Sequence, residues 1–143
     1  MRNGNSLIET LTAAHGTLLE DLQKLQQDAQ SLPEQGLADL RRRLDMTYRH
    51  IASHFRLEEQ NGYMDAVRKR EPRLGRTIEQ LAQEHRELLE SLTAIIGEGR
   101  TSTKLNEAFR NKVHAWVERV RQHETHENEV VQDAFNLDLG AED

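Results

Sequence analysis

Near its C-terminus the chain reads RQHETHENEVVQDAF, with His123, Glu124, His126 and Glu127 crowded together. The zinc-protease pattern H-E-x-x-H needs histidines four apart. His123 and His126 are three apart, which excludes it. The pair that is four apart is His123 and Glu127, and on a helix that spacing puts both side chains on one face. The same pair recurs upstream as His54 and Glu58. Facing solvent, such a pair is an ordinary ion pair. Facing inward, imidazole and carboxylate are ligands for iron, zinc or manganese. The patterns for nucleophilic catalysis are missing: there is no cysteine, no G-x-S-x-G and no Gly-rich phosphate loop.

Which way the pairs face depends on the elements that carry them. Proline and glycine are scarce, and three stretches that hold them, SLPEQG, KREPRLG and GEGRTST, read as punctuation. They divide the chain into four segments rich in helix formers. Apolar residues recur at steps of three and four throughout, as in Leu7–Leu11–Leu18–Leu22 and Phe109–Val113–Trp116–Val120. The expected fold is all-α, an up-down-up-down four-helix bundle, with residues 1–143 forming one domain. Ser102 or Thr103 is a candidate N-cap for the last helix, and Asn61-Gly62 is a candidate break after the second.

Each apolar stripe has a gap that a polar residue fills. The series 109, 113, 116, 120 continues to His123 and Glu127. The series 40, 44, 47, 51 continues to His54 and Glu58. The stripe of the third segment passes through His85, and that of the first through His15. Every helix thus aims at least one histidine inward. Counted from the first two connections at ~1.5 Å per residue, these residues agree in height within about one turn. The third connection fits less closely, and a last helix starting near Thr103 narrows the gap.

Burying an unpaired carboxylate costs several kcal/mol, and two facing each other repel. Bound cations remove both problems. The sequence therefore nominates His15, His54, Glu58, His85, His123 and Glu127 as metal ligands. His114 lies off the stripe and faces solvent. His50, His126, Glu59, Glu124 and Tyr63 flank the stripes and could orient ligands from behind, while Trp116, Phe109 and Phe55 are read as packing. A ferritin-like site would need Glu-x-x-His on two helices, and no histidine here has a glutamate three residues before it.

Composition narrows the function. A formal net charge of −6 over 143 residues argues against nucleic acid as the partner. The start, MRNGNSLIET, has no signal-peptide run, and no window approaches the ~18 apolar residues of a membrane span. The absence of cysteine suits a reducing cytoplasm. Monomer and homodimer are both compatible with the sequence.

The order His, His-x3-Glu, His, His-x3-Glu resembles the hemerythrin-like, or HHE cation-binding, domain. The matching stretches are AAHGTLLEDL, HFRLEEQNGYM, QEHRELL and HETHENEVVQDAF, spread over residues 7–139. The resemblance implies a non-haem di-iron centre of two iron ions bridged by Glu58 and Glu127. It implies His15 and His54 on one iron, and His85 and His123 on the other. Oxygen-carrying hemerythrins have a further histidine one turn before the one matched by His85, where this chain has Leu81. Their last carboxylate is an aspartate five residues after its histidine, where this chain has Asn128. The family's chemistry implies O2, peroxide or NO as the small-molecule ligand. Three functions follow as expectations: oxygen or NO binding or sensing, peroxide decomposition, and iron storage or sensing.

Overall fold

A computed structural model describes the backbone of residues 2–60 and 62–142 and the side chains of 6–60 and 62–135. Those residues form helices and turns, with no strand among them. Four helices are long: α1 (Arg2–Ser31), α2 (Leu37–Glu59), α4 (Gly75–Thr101) and α5 (Glu107–Glu142). A short helix, α3 (Tyr63–Arg70), lies between the second and third of them. α1 packs on α2 and α5, and α4 packs on α2 and α5, so the four long helices close a ring. No helix is long and apolar enough to cross a membrane among the described residues.

The breaks have local causes. α1 stops just before Leu32-Pro33, because the residue preceding proline is pushed out of the helical region; a 3-10 turn over Glu34–Gly36 follows. Pro72 opens a second 3-10 turn, Pro72–Leu74, ahead of α4. The break after α2 falls where Asn61-Gly62 was expected, although Asn61 itself is outside the described residues. At Gly62 an added Cβ would lie 2.5 Å from the Leu57 carbonyl oxygen and 2.8 Å from Glu58 Cα. Only glycine lets the chain fold back so tightly on the end of α2, and this turn sends Tyr63 into the interior.

Two expectations about the third connection are corrected. Gly97 and Gly99 do not punctuate: both lie inside α4, which continues to Thr101. Nor does Ser102 or Thr103 cap the last helix. Ser102 ends α4, its hydroxyl donating to the Glu98 carbonyl. α5 begins later, with Asn106 Oδ1 accepting from the Phe109 amide at 2.8 Å, an ordinary N-cap. These corrections remove the mismatch in height. His85 lies sixteen residues before the end of α4, and His123 lies sixteen after the start of α5.

The apolar interior is in two parts. One cluster holds Leu18, Leu22, Leu40, Leu44, Ile51, Phe55, Leu88, Leu92, Trp116 and Val120, among others. The other holds Leu11, Tyr63, Met64, Val67, Ile78, Leu81, Val130 and Val131. Trp116 is buried and donates its indole N–H to the Leu88 carbonyl at 2.9 Å. Between the two clusters the inward stripes carry polar residues instead.

Candidate metal centre

All six nominated residues converge on that intervening layer. His15, Glu58, His85, His123 and Glu127 are buried, and the His54 side chain is 9% exposed. A seventh residue joins them. Glu124 is 2% exposed and lies 2.8 Å from His15 Nε2 and 3.1 Å from His54 Nε2. Helical phase puts it there: Glu124 is midway between Val117 and Val131, seven residues from each, and both valines are buried. The inward face of α5 is two residues wide, and a single stripe counted in threes and fours misses its second edge.

The contacts sort the residues into two groups. His15, His54, Glu58, Glu124 and Glu127 form one, and His85, His123 and Glu127 the other; within each, one ligand atom from every residue lies within 4.8 Å of the others. Glu58 reaches both groups. Its Oε2 is 3.1 Å from His15 and 3.2 Å from His54, while its Oε1 is 3.2 Å from His85. Glu127 does the same, with Oε1 3.4 Å from His15 and Oε2 3.1 Å from His85 and 3.4 Å from His123. The two glutamates thus stand between a His15–His54 side and a His85–His123 side.

Around this layer, polar groups hold the imidazoles by their outer nitrogens. His15 Nδ1 is 2.9 Å from Asn128 Oδ1, His85 Nδ1 is 2.7 Å from Glu59, and His123 Nδ1 is 2.6 Å from Glu84. An acceptor at Nδ1 keeps the proton there and turns Nε2 inward, as metal-binding histidines require. Tyr63 donates its hydroxyl proton to Glu127. Phe55 does more than pack: its ring stacks on His85, centroids 3.8 Å apart and planes 8° from parallel. His50 does not join the site; it is 56% exposed and pairs with Asp21. His126 lines a cleft beside His123. His114 is exposed, as expected, and hydrogen-bonds Gln26.

Electrostatics shows what such a layer requires. Burial opposes charge on each histidine, but the surrounding carboxylates outweigh it. His15 is pushed up to about 12, chiefly by Glu124, Glu127 and Glu58. His54 is raised to about 9 by Glu124 and Glu58, and His85 to about 10 by Glu127 and Glu58. His123 is raised too, by Glu127 and Glu84. Glu58 and Glu127 are held low: burial pushes them up, and the histidines around them pull them down further. Glu124 goes the other way, because burial and the neighbouring Glu127 outweigh His15 and His54. Burial and the nearby carboxylates keep the Tyr63 hydroxyl protonated.

Even so, His54 Nε2, His123 Nε2, Glu58 Oε1, Glu127 Oε1 and both Glu124 oxygens are buried without a hydrogen bond. Buried polar atoms are rarely left so. Four inward imidazole nitrogens and three carboxylates form a donor set that suits divalent cations of borderline hardness. The orphaned atoms are those that cations in this layer would satisfy, so the residues fit a metal.

The family model of the hemerythrin HHE cation-binding domain matches residues 6–135. No curated protein and no solved structure matches the chain.

Proposed function

Since the chain belongs to the hemerythrin HHE cation-binding domain family, we propose that its polar layer holds two iron ions and binds O2 or a related small molecule such as NO. One observation carries this reading: two sets of histidine nitrogens face each other across two shared, buried carboxylates. In this reading His15, His54 and Glu124 hold one iron, His85 and His123 the other, and Glu58 and Glu127 serve both. The four long helices run up, down, up and down. When bound, the irons supply sites for a small ligand and the means to exchange electrons with it.

The chain's own residues do the remaining work. Asn128, Glu59 and Glu84 fix the tautomers and orientations of three imidazoles. Tyr63 holds a proton against Glu127, steadying a shared carboxylate and offering a donor in an otherwise acceptor-rich layer. Leu11 and Leu81 on one side, and Leu18, Ile51, Leu88 and Val120 on the other, are buried and keep bulk water from the layer. A dry shell strengthens every electrostatic contact inside it. Leu81 presents an apolar surface rather than a further imidazole, so the His85–His123 side has the fewer ligands.

The test is exposure of the ferrous-loaded protein to O2, and separately to NO, followed by degassing. An absorption change that forms and reverses supports binding. Sustained consumption of added peroxide with no stable adduct would replace binding by turnover, and indifference to all three ligands would remove the small-molecule function.

A further inference from the structure

Clefts of different polarity reach the layer, polar ones beside His123 and beside Glu124, and an apolar one beside His54. Beside His123 lies a cleft of about 360 Å³ lined by Glu84, Glu87, Arg119, Gln122 and His126. It suits water and ions. On the other side is a cavity of about 100 Å³ between α1, the end of α2 and the start of α3. Its walls are Leu7, Leu11, Ala14 and Leu57, and His54, Glu58 and Tyr63 also line it. Leu57 is 68% exposed, so the cavity joins the surface to the metal-binding layer. Gly62 shapes it, since any Cβ there would collide with the backbone of Leu57 and Glu58.

We propose that this apolar cavity is the path by which an uncharged diatomic molecule reaches the centre. The proposal rests on the function proposed above and adds the class of solute admitted. Size is the first argument. About 100 Å³ holds a diatomic molecule with ease and is well below the ~300 Å³ at which pockets for organic ligands begin. Lining is the second. An ion would lose its hydration between aliphatic side chains and recover little of it from the Thr10 hydroxyl beside them. A neutral solute meets no such penalty.

Two readouts test the path. The first needs no metal: the protein as isolated is pressurised with xenon, which occupies dry apolar cavities, and the methyl resonances are followed. Shifts at Leu7, Leu11, Ala14 and Leu57 that vanish in Ala14→Phe are expected; their absence in the unsubstituted chain overturns the proposal. The second compares NO binding to the ferrous protein with azide binding to the ferric protein. Ala14→Phe should slow NO association by about tenfold and leave azide unchanged. Leu57→Trp, at an exposed position, gives the same test should Ala14→Phe fail to fold, and Met46→Phe, at an exposed position lining none of these clefts, is the control. NO and azide slowed alike, or neither slowed, overturns the proposal. Metal content is measured on each preparation. A chain that holds no metal defeats the proposed function, and the xenon result then decides alone whether the cavity admits a neutral solute.

Discussion

The His15–His54 side and the His85–His123 side of the centre place their carboxylates differently. On the first, Glu124 stands in direct contact with both imidazoles, and the group behind His15 is the neutral amide of Asn128. On the second there is no carboxylate beyond the two shared ones. The acids stand behind the rings instead, Glu59 at His85 and Glu84 at His123, and both reach toward solvent. A carboxylate in the layer adds a ligand and charge. A carboxylate behind an imidazole makes that imidazole a better ligand without occupying a position. The comparison teaches that one helical layer can give its two sides similar charge but unequal numbers of potential ligands.

The largest effect should come from removing what the two sides share. Glu58→Ala takes a ligand from both, and metal per chain, measured by elemental analysis, should fall close to zero. Glu124→Ala should separate the sides: retained metal drops from two ions to about one, and His85 and His123 keep theirs. Two ions retained in Glu124→Ala would mean that the sides do not differ as described. A smaller effect is expected from Glu84→Gln, which keeps the hydrogen bond to His123 and removes the charge. Loss of such a partner costs on the order of 10-fold in metal affinity, and it should fall on the second, weaker step of a metal titration. His114→Ala, at an exposed position outside the layer, should change neither step.

Acidity sharpens the comparison in another way. In the metal-free chain His54 and His85 keep their protons up to about 9 and about 10, above the ordinary value of 6.5. The folded state therefore binds more protons than the unfolded chain across that window. The stability these pairs contribute is complete below pH 6.5 and is lost as pH climbs through about 9 and then about 10. Glu58 and Glu127 act at the acid end: their share is present above 4.5 and lost as pH falls through their lowered values. Metal replaces the histidine protons, so added metal should raise Tm more at about pH 8 than at about pH 6. Thermal melts with and without chelator across this range would check both signs.

The inward stripes were readable because helical phase is strict. Once Leu40, Leu44 and Ile51 mark a face, His54 and Glu58 have nowhere else to point; Phe109 to Val120 do the same for His123 and Glu127. Glu124 carried a weaker signal, its seven-residue spacing from Val117 and Val131, which becomes legible only when a face two residues wide is allowed. Tyr63 could not be phased at all, because the turn at Gly62 resets the helix and only the three-dimensional path brings its hydroxyl to Glu127. Glu59, next to Glu58, was among the flanking candidates, whereas Glu84 and Asn128 sit beside the stripes, where most acids and amides simply face water. Nothing in their spacing separates them from the other polar residues of this chain. The late start of α5 was hidden for a similar reason: Ser102, Thr103 and Asn106 are all competent caps, and packing selects among them.

The most direct test is the metal content of the purified protein, read together with its visible and near-ultraviolet absorption in air. The account predicts two irons per chain with charge-transfer bands of a bridged pair. A single zinc, or no metal after loading with ferrous iron under reducing conditions, would contradict it.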